Sequence, residues 1–441
     1  MGIKVCKFGG TSLADASQIK KVKTIVDADP DRKFVVPSAP GKRHADDQKV
    51  TDLLYLCHEH AKQGLAFDEV FKLIHQRYEQ IIEDLGIDLD LSDELDRVKV
   101  GIAKYADRGA DYAASRGEFL NGQIVAKLLG YRFIDAAEVI FFGENGRLDN
   151  QRTYEAFSQK ISGDERAVVP GFYGTDHEGF VKTFSRGGSD VTGAIVSRGV
   201  GADVYENWTD VSGLLMADPR VVDHPKAIDM ITYRELRELS YMGASVLHDE
   251  AVFPVREAGI PVNIRNTNKP EAAGTMIVAT AKASSDMGSI TGIAGRKDFT
   301  VIAVEKAMMN AEIGFGRRVL GVLERHGVSF EHMPSGIDTM SVVIADTELD
   351  GKLNDVLKEI EEDCDPDSVE AIDGMALIAT VGRGMSHTPG MASKLFGALA
   401  EAGVNIRMID QGSSELNIIV GVQASDFKTA VRAIYSRTVG V

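Results

Sequence analysis

The C-terminal part of the chain carries one pattern twice, and this limits the possible fold more than any other feature. Gly314-Phe315-Gly316-Arg317-Arg318-Val319-Leu320-Gly321-Val322-Leu323 aligns without a gap on Gly390-Met391-Ala392-Ser393-Lys394-Leu395-Phe396-Gly397-Ala398-Leu399. The register continues through Gly327-Val328 on Gly403-Val404 and Gly336 on Gly412. It ends with Met340 to Ile344 on Leu416 to Val420. Each copy reads as a helix, a turn and two strands, preceded by a further strand at Val301 to Val304 or Ala376 to Val381. Such self-similarity means one small α+β module present twice.

The part before the repeat has a different character. Strand-like and helix-like stretches alternate up to about residue 280, the pattern of an α/β domain with a mostly parallel sheet. Strands are expected at Lys4 to Phe8, Phe34 to Pro37, Val168-Val169, Asp203 to Tyr205 and Val262 to Ile264, with ligands binding beyond their carboxyl ends. Between Leu65 and Tyr105 the period is helical, and Phe71, Ile74, Tyr78, Ile81 and Ile82 share a packing face. The small polar stretch from Ala279 to Ser289 reads as a linker. The expected division is therefore a domain over 1–280, a linker over 281–291 and a repeat-bearing region over 292–441. Its repeats are expected at about 308–375 and about 376–441, the second completed by the strand near 299–305.

Composition narrows the function classes. No apolar run approaches the roughly 20 residues of a membrane span, and the N-terminal lysines are interleaved through a strand rather than grouped as in a signal peptide. Three cysteines without metal-ligand spacing suit a reducing compartment, so a cytoplasmic protein is expected. A net charge of −17 opposes binding to nucleic acid, whose phosphates need cationic neutralisation.

Two glycine turns carry the chemistry. The first strand, with Lys7 near its end, breaks into Gly9-Gly10-Thr11-Ser12, where backbone N–H groups can cradle an anion and an ammonium lies close by. Far downstream, Phe180 to Phe184 runs into Ser185-Arg186-Gly187-Gly188-Ser189-Asp190 and then a helix, with Ser189 or Asp190 placed to cap it. Arg186 offers a fork for carboxylate or phosphate. Asp190 reads equally as a cap, a general acid/base or an orienter of a lysine. Two such turns, one with lysine and one with Arg and Asp, favour a phosphoryl-transfer site. A P-loop is excluded, since no G-x-x-x-x-G-K-[ST] occurs, and the first strand lacks a dinucleotide-binding G-x-G-x-x-G.

KFGGTS at 7 to 12, RGEFLNG at 116 to 122, VVPGFYG at 168 to 174 and SRGGSD at 185 to 190 resemble the aspartokinase signature set, in family order. WTDVSGLLMADPRVV at 208 to 222 and IRNTNKP at 264 to 270 extend the resemblance over essentially the whole chain. The resemblance implies a three-layer α/β/α amino-acid-kinase domain followed by two ACT domains of βαββαβ type. It implies transfer of the γ-phosphoryl group of ATP to the side-chain carboxylate of aspartate, with Mg²⁺ bridging the phosphates. The alternatives are another kinase of the same fold or a degenerate amino-acid sensor. The chain ends soon after the second repeat, so no fused homoserine dehydrogenase is expected.

By the same resemblance, Lys7 stabilises the transferring group, and Asp190 orients Lys7 rather than taking a proton. Arg186 clamps the α-carboxylate of aspartate, Glu118 takes its ammonium, and Thr51 and Ser189 supply hydroxyl contacts. Gly9, Gly10 and Ser12 hold phosphates, while Thr209, Asp210, Asp218 and Arg220 complete the ATP side. Two positions depart from the family: relatives often carry tyrosine at Leu215 and lysine at Ser245, whose charge Lys182 or another cation would replace. No all-protein metal cage is visible. ACT pairs of this family assemble with a second chain and bind an end-product amino acid, lysine favoured over threonine. The expected pocket is formed by Met309, Gly314, Phe315 and Gly316 at a helix N-terminus, suited to a carboxylate, and by Ser329, Phe330 and Glu331 on the next strand. Glu331 or Asp338 would answer an ammonium. Arg407 opposes Glu331 in the repeat, so the two sites are not equivalent.

Overall fold

The computed structural model describes residues 2–161, 165–185, 187–244, 247, 249–279 and 289–439. The chain forms two compact units. The first takes in Met1–Leu214, Ala227–Tyr233 and Val246–Ala281; the second takes in Leu215–Lys226, Arg234–Ser245 and Lys282–Val441.

The strands of the first unit are β1 Lys4–Phe8, β2 Arg32–Pro37, β3 Arg132–Phe133, β4 Ala167–Val168, the hairpin pair β5 Tyr173–Thr175 and β6 Val181–Thr183, β7 Val204–Thr209, β8 Met230–Thr232, β9 Val262–Asn266 and β10 Thr275–Val278. All but the hairpin join one sheet in the order β3-β4-β2-β1-β7-β9-β10-β8. Its pairings are parallel except β9 with β10. Alternation along β1 sorts its side chains between two layers. Cys6 and Phe8 enter the core shared with helices Ala16–Asp27, Val50–Lys62, Asp68–Leu85, Ser92–Lys104 and Asp111–Leu129. Lys7 faces the other layer, where helix Gly188–Gly199 lies against β1, β2 and β7. Among the described residues no helix is long and apolar enough to cross a membrane.

The second unit holds a five-stranded antiparallel sheet, β12-β11-β13-β15-β14, built from β11 Gly292–Glu305, β12 Thr339–Ala345, β13 Ser368–Val381, β14 Met408–Asp410 and β15 Asn417–Gln423. Both modules are present, each with its own apolar core. Helices Phe315–Arg325 and Leu353–Cys364 pack in one, Met391–Glu401 and Phe427–Thr438 in the other.

Two expectations about boundaries are corrected. The strand near 299–305 belongs to the first module, because Phe299 to Glu305 run beside β12; the second module takes Gly292 to Arg296, which run beside Leu377 to Val381 of β13. One long strand thus serves both modules, switching at a bulge where Asp298 has φ 68°. The cut at residue 280 also fails as a simple boundary. Met216, Ala217, Val221 and Val222 pack with the second module's core, and Met216 O accepts from Ile293 N at 2.7 Å. Four apolar residues spread over a loop-like segment bury enough surface to draw it out of the first unit.

Candidate functional site

The carboxyl ends of β1, β2, β4 and β7 converge on one edge of the parallel sheet, and their loops are stitched together by backbone bonds. Gly9 N donates to Trp208 O (3.1 Å), Ser38 N to Phe8 O (3.0 Å), Gly41 N to Gly10 O (2.9 Å) and Gly171 N to Pro37 O (3.1 Å). Neither Gly9 nor Gly10 has positive φ. What the turn requires is close approach: a Cβ on Gly41 would lie 2.6 Å from the Gly10 carbonyl carbon, and one on Gly10 would lie 3.1 Å from Ala39 O. The N–H groups of Gly10 and Thr11 open the turn Gly10–Leu13, where backbone donors have no partner within the helix. The Gly9 N–H, by contrast, is spent on Trp208. Ser12 is buried with its Oγ 2.7 Å from Thr267 Oγ1, so its hydroxyl braces the loop after β9.

Lys7 is buried, and its Nζ lies 2.6 Å from Asp190 Oδ1. The helix bearing Asp190 starts after Gly187, which has φ 56°; neither Ser189 nor Asp190 caps it, a correction to the expected helix start. Asp190 is instead the third helical residue, aimed at the sheet. The helix sits close enough that a Cβ on Gly193 would fall 2.5 Å from Tyr205 Oη, and Tyr205 Oη donates to Asp190 O. Sequence reasoning missed Asn207. It pairs with Lys7 in the β1–β7 register and is buried. Its Nδ2 donates to Asp190 Oδ1 at 2.8 Å, and its Oδ1 accepts from Lys7 Nζ at 3.5 Å. The available signal was a polar residue inside an otherwise buried strand.

Glu118 lies in the interior of helix Asp111–Leu129. Gly117 explains the spacing: a Cβ there would lie 2.7 Å from Ala39 Cβ, so glycine lets the helix press on the loop after β2. Burial pushes the Glu118 carboxyl up to about 8, against a backbone hydrogen bond from Ala39 that favours the carboxylate. Its Oε2 is buried and unpartnered. So is Oδ1 of Asn121, whose Nδ2 donates to Ser38 O at 2.7 Å. Positions three apart share a helix face, so two acceptor oxygens next to one loop await a donor. Asn121 was not singled out in the sequence, although it stands in the same motif.

Thr51 is the second residue of helix Val50–Lys62 and half-buried. Ser189 packs on the loop after β4, where a Cβ on Gly171 would fall 2.5 Å from its Oγ. Arg186 and Ser245 lie outside the described residues. Lys182, on the hairpin, has its Nζ 3.8 Å from Asp111 Oδ2. Thr209 ends β7 and Asp210 follows it, with Thr209 Oγ1 donating to Asp210 Oδ1 at 3.3 Å. Asp218 and Arg220 form an exposed ion pair at 2.8 Å within the segment that belongs to the second unit.

In the first regulatory module Gly314 (φ 83°) precedes helix Phe315–Arg325, with Gly316 half-buried in its first turn. Met309 and Phe315 are core residues rather than pocket lining. Ser329 and Phe330 are exposed and do not belong to a strand as expected; two isolated bridges, His332 to Val343 and Ser335 to Met340, mark that edge. Glu331 is hydrogen-bonded by Tyr241 and lies 4.0 Å from Arg296 Nη1. Asp338 accepts from Met308 N at 2.8 Å.

The amino acid kinase family model matches residues 2–266 and an ACT domain model matches 378–437. Aspartokinase 3 of Bacillus subtilis is 41% identical over 446 residues, covering 98% of each chain. The solved aspartate kinase of Clostridium acetobutylicum is 58% identical, with TM-score 0.92 over 99% of each chain. E. coli aspartokinase III has been solved with aspartate and ADP (26% identical, TM-score 0.74) and with lysine and aspartate (27%, 0.76), each covering 99% of both chains. The chain therefore belongs to the amino acid kinase family, and within it to the ACT-bearing aspartokinases, which are ATP-dependent phosphotransferases.

Proposed function

We propose that the chain transfers the γ-phosphoryl group of MgATP to the side-chain carboxylate of L-aspartate, giving 4-phospho-L-aspartate, with Lys7 as the stabilising cation. The observation that carries this reading is the buried Lys7–Asp190 pair beside the Gly9-Gly10 turn. The acceptor carboxylate is already an anion, so the reaction asks for no general base. It asks for cations and dipoles placed where negative charge gathers. An ammonium has three donors, so Lys7 can keep Asp190 and still reach a phosphate oxygen. Asp190, already accepting from Lys7 and Asn207, orients rather than removes a proton.

Glu118 and Asn121 would receive the ammonium of aspartate, Arg186 its α-carboxylate, and Thr51 and Ser189 would line the same end. The N–H groups of Gly10 and Thr11 would meet the phosphates, with Gly9, Ser12, Thr209, Asp210, Asp218 and Arg220 as the remaining candidates for the nucleotide side. Mg²⁺ arrives with the nucleotide. The effector would be lysine, held near Gly314 and Gly316 with its ammonium answered by Glu331. The test is hydroxylamine trapping of acyl phosphate, with and without millimolar lysine or threonine. Hydroxamate from aspartate but not glutamate, suppressed by lysine, is expected. Binding of an amino acid without any product would favour the sensor reading instead.

A second copy of the chain would pack on the first module, where Met308, Ile313, Phe330 and Ile337 are exposed, Ile313 at 98% and Ile337 at 70%. Ile313→Asp with Ile337→Asp should shift the sedimenting species from dimer toward monomer. An unchanged mass would remove this patch from the interface.

A further inference from the structure

Helix Asp68–Leu85 reads in the sequence as a packing helix, yet it buries an arginine. Arg77 is 6% exposed, and its Nη1 has no partner. A buried cation with an unmet donor costs more than a leucine would at the same place. Packing therefore does not account for it; what it holds does. Its Nη2 donates to Gly41 O at 3.0 Å and to Asp47 Oδ2 at 2.7 Å. Asp47 is in turn gripped by Arg43, whose Nε, Nη2 and backbone N each donate to it at 2.9 Å. Gly41 is the residue whose N–H bonds Gly10 O and whose Cα has no room for a side chain against that turn.

The adjacent residue reaches the other half of the site. Tyr78 Oη donates to Gly117 O at 2.8 Å, one residue before Glu118. Glu118 in turn accepts from Ala39 N, two residues before Gly41. Arg77, Gly41, Ala39, Glu118, Gly117 and Tyr78 thus close a circuit. Two consecutive side chains of one helix set the spacing between the glycine turn and the buried carboxylate.

We infer that Arg77 and Tyr78 are positioning residues: Arg77 fixes the roof of the nucleotide turn through Gly41, and Tyr78 fixes Glu118 through Gly117. The inference rests on the proposed roles of the Gly10 turn and Glu118. An error of about 1 Å in such placement costs on the order of a hundredfold in rate, and loss of a charged hydrogen bond about tenfold or more in affinity.

The test separates the two halves. Arg77→Met should raise the KM for ATP, and the Kd for MgATP measured calorimetrically without aspartate, about tenfold or more, with the KM for aspartate within about threefold of the parent. Tyr78→Phe should do the reverse, raising the aspartate KM roughly fivefold and leaving MgATP binding unchanged. Arg77→Lys should fall between, since one ammonium reproduces the two-way fork poorly. If Arg77→Met does not fold, Asp47→Asn on the loop should shift MgATP binding in the same direction by less. Folded variants that change both substrates equally, or neither, overturn the inference, as does unchanged MgATP binding in Asp47→Asn when Arg77→Met cannot be made. A parent that binds MgATP but phosphorylates no amino acid fails the proposed reaction, and the calorimetric arm still decides Arg77.

Discussion

Replacing Lys7 by methionine is expected to lower kcat by about a thousandfold while changing the KM for ATP far less. Methionine keeps the length and apolar stem of the lysine, so the strand end and its packing survive. What is lost is a cation buried beside the glycine turn, opposite Asp190 at 2.6 Å. Removing a single donor to developing negative charge typically costs 10²–10³ in kcat, about 3–4 kcal/mol. Here the loss is larger, because the Asp190 carboxylate is left facing the phosphates without its counter-ion. Asn207→Leu probes the same pair without removing a charge. It frees Asp190 Oδ1 from the 2.8 Å bond and should lower kcat about tenfold, with both KM values near the parent's. A Lys7→Met enzyme within threefold of the parent kcat would remove Lys7 from the transfer step.

The difference between Lys7 and Asn207 marks how far the sequence could be read. Lys7 and Asp190 stand in glycine motifs whose local chemistry is legible and whose family order is known, so their pairing was expected before any coordinates. Asn207 joins them only because β7 lies beside β1 in a register that matches Asn207 to Lys7. Nothing in a single chain fixes which strand neighbours which. The same limit explains the misassigned strand at 299–305. A run of fourteen residues, Gly292–Glu305, belongs to two modules because its register breaks around Asp298, which has φ 68°. Bulges of this kind leave almost no compositional trace. The segment 215–226 did not show itself in the sequence as part of the second unit, since its few apolar residues show their purpose only against Ile293, Ile418 and Tyr435. Glu118 was legible as a motif residue. Its unpartnered oxygen was not, because orphaned atoms are a property of packing.

That orphaned oxygen leads to the other large effect, a dependence of aspartate binding on pH. With its carboxyl pushed up to about 8 by burial, Glu118 is mostly protonated at neutral pH in the empty site. A substrate ammonium needs the carboxylate, so binding must expel the proton. The KM for aspartate should therefore fall as pH rises, by up to tenfold per unit below about 8 and levelling above it, while the KM for ATP stays flat. Glu118→Gln should raise the aspartate KM by about a hundredfold and abolish the slope. Stability without substrate runs the opposite way. The folded-state value lies above the ordinary 4.5, so the folded protein holds a proton that the unfolded chain releases. The contribution of that proton is complete below about 4.5 and is lost as pH rises through about 8, a change on the order of a few kcal/mol. Thermal unfolding of the parent should accordingly lose ground to Glu118→Gln between pH 6 and about pH 8.5, and saturating aspartate should narrow the gap in the parent alone. Parallel melting curves for parent and variant across that range, together with a pH-independent aspartate KM, would show that Glu118 is ionised in the empty site and binds no ammonium.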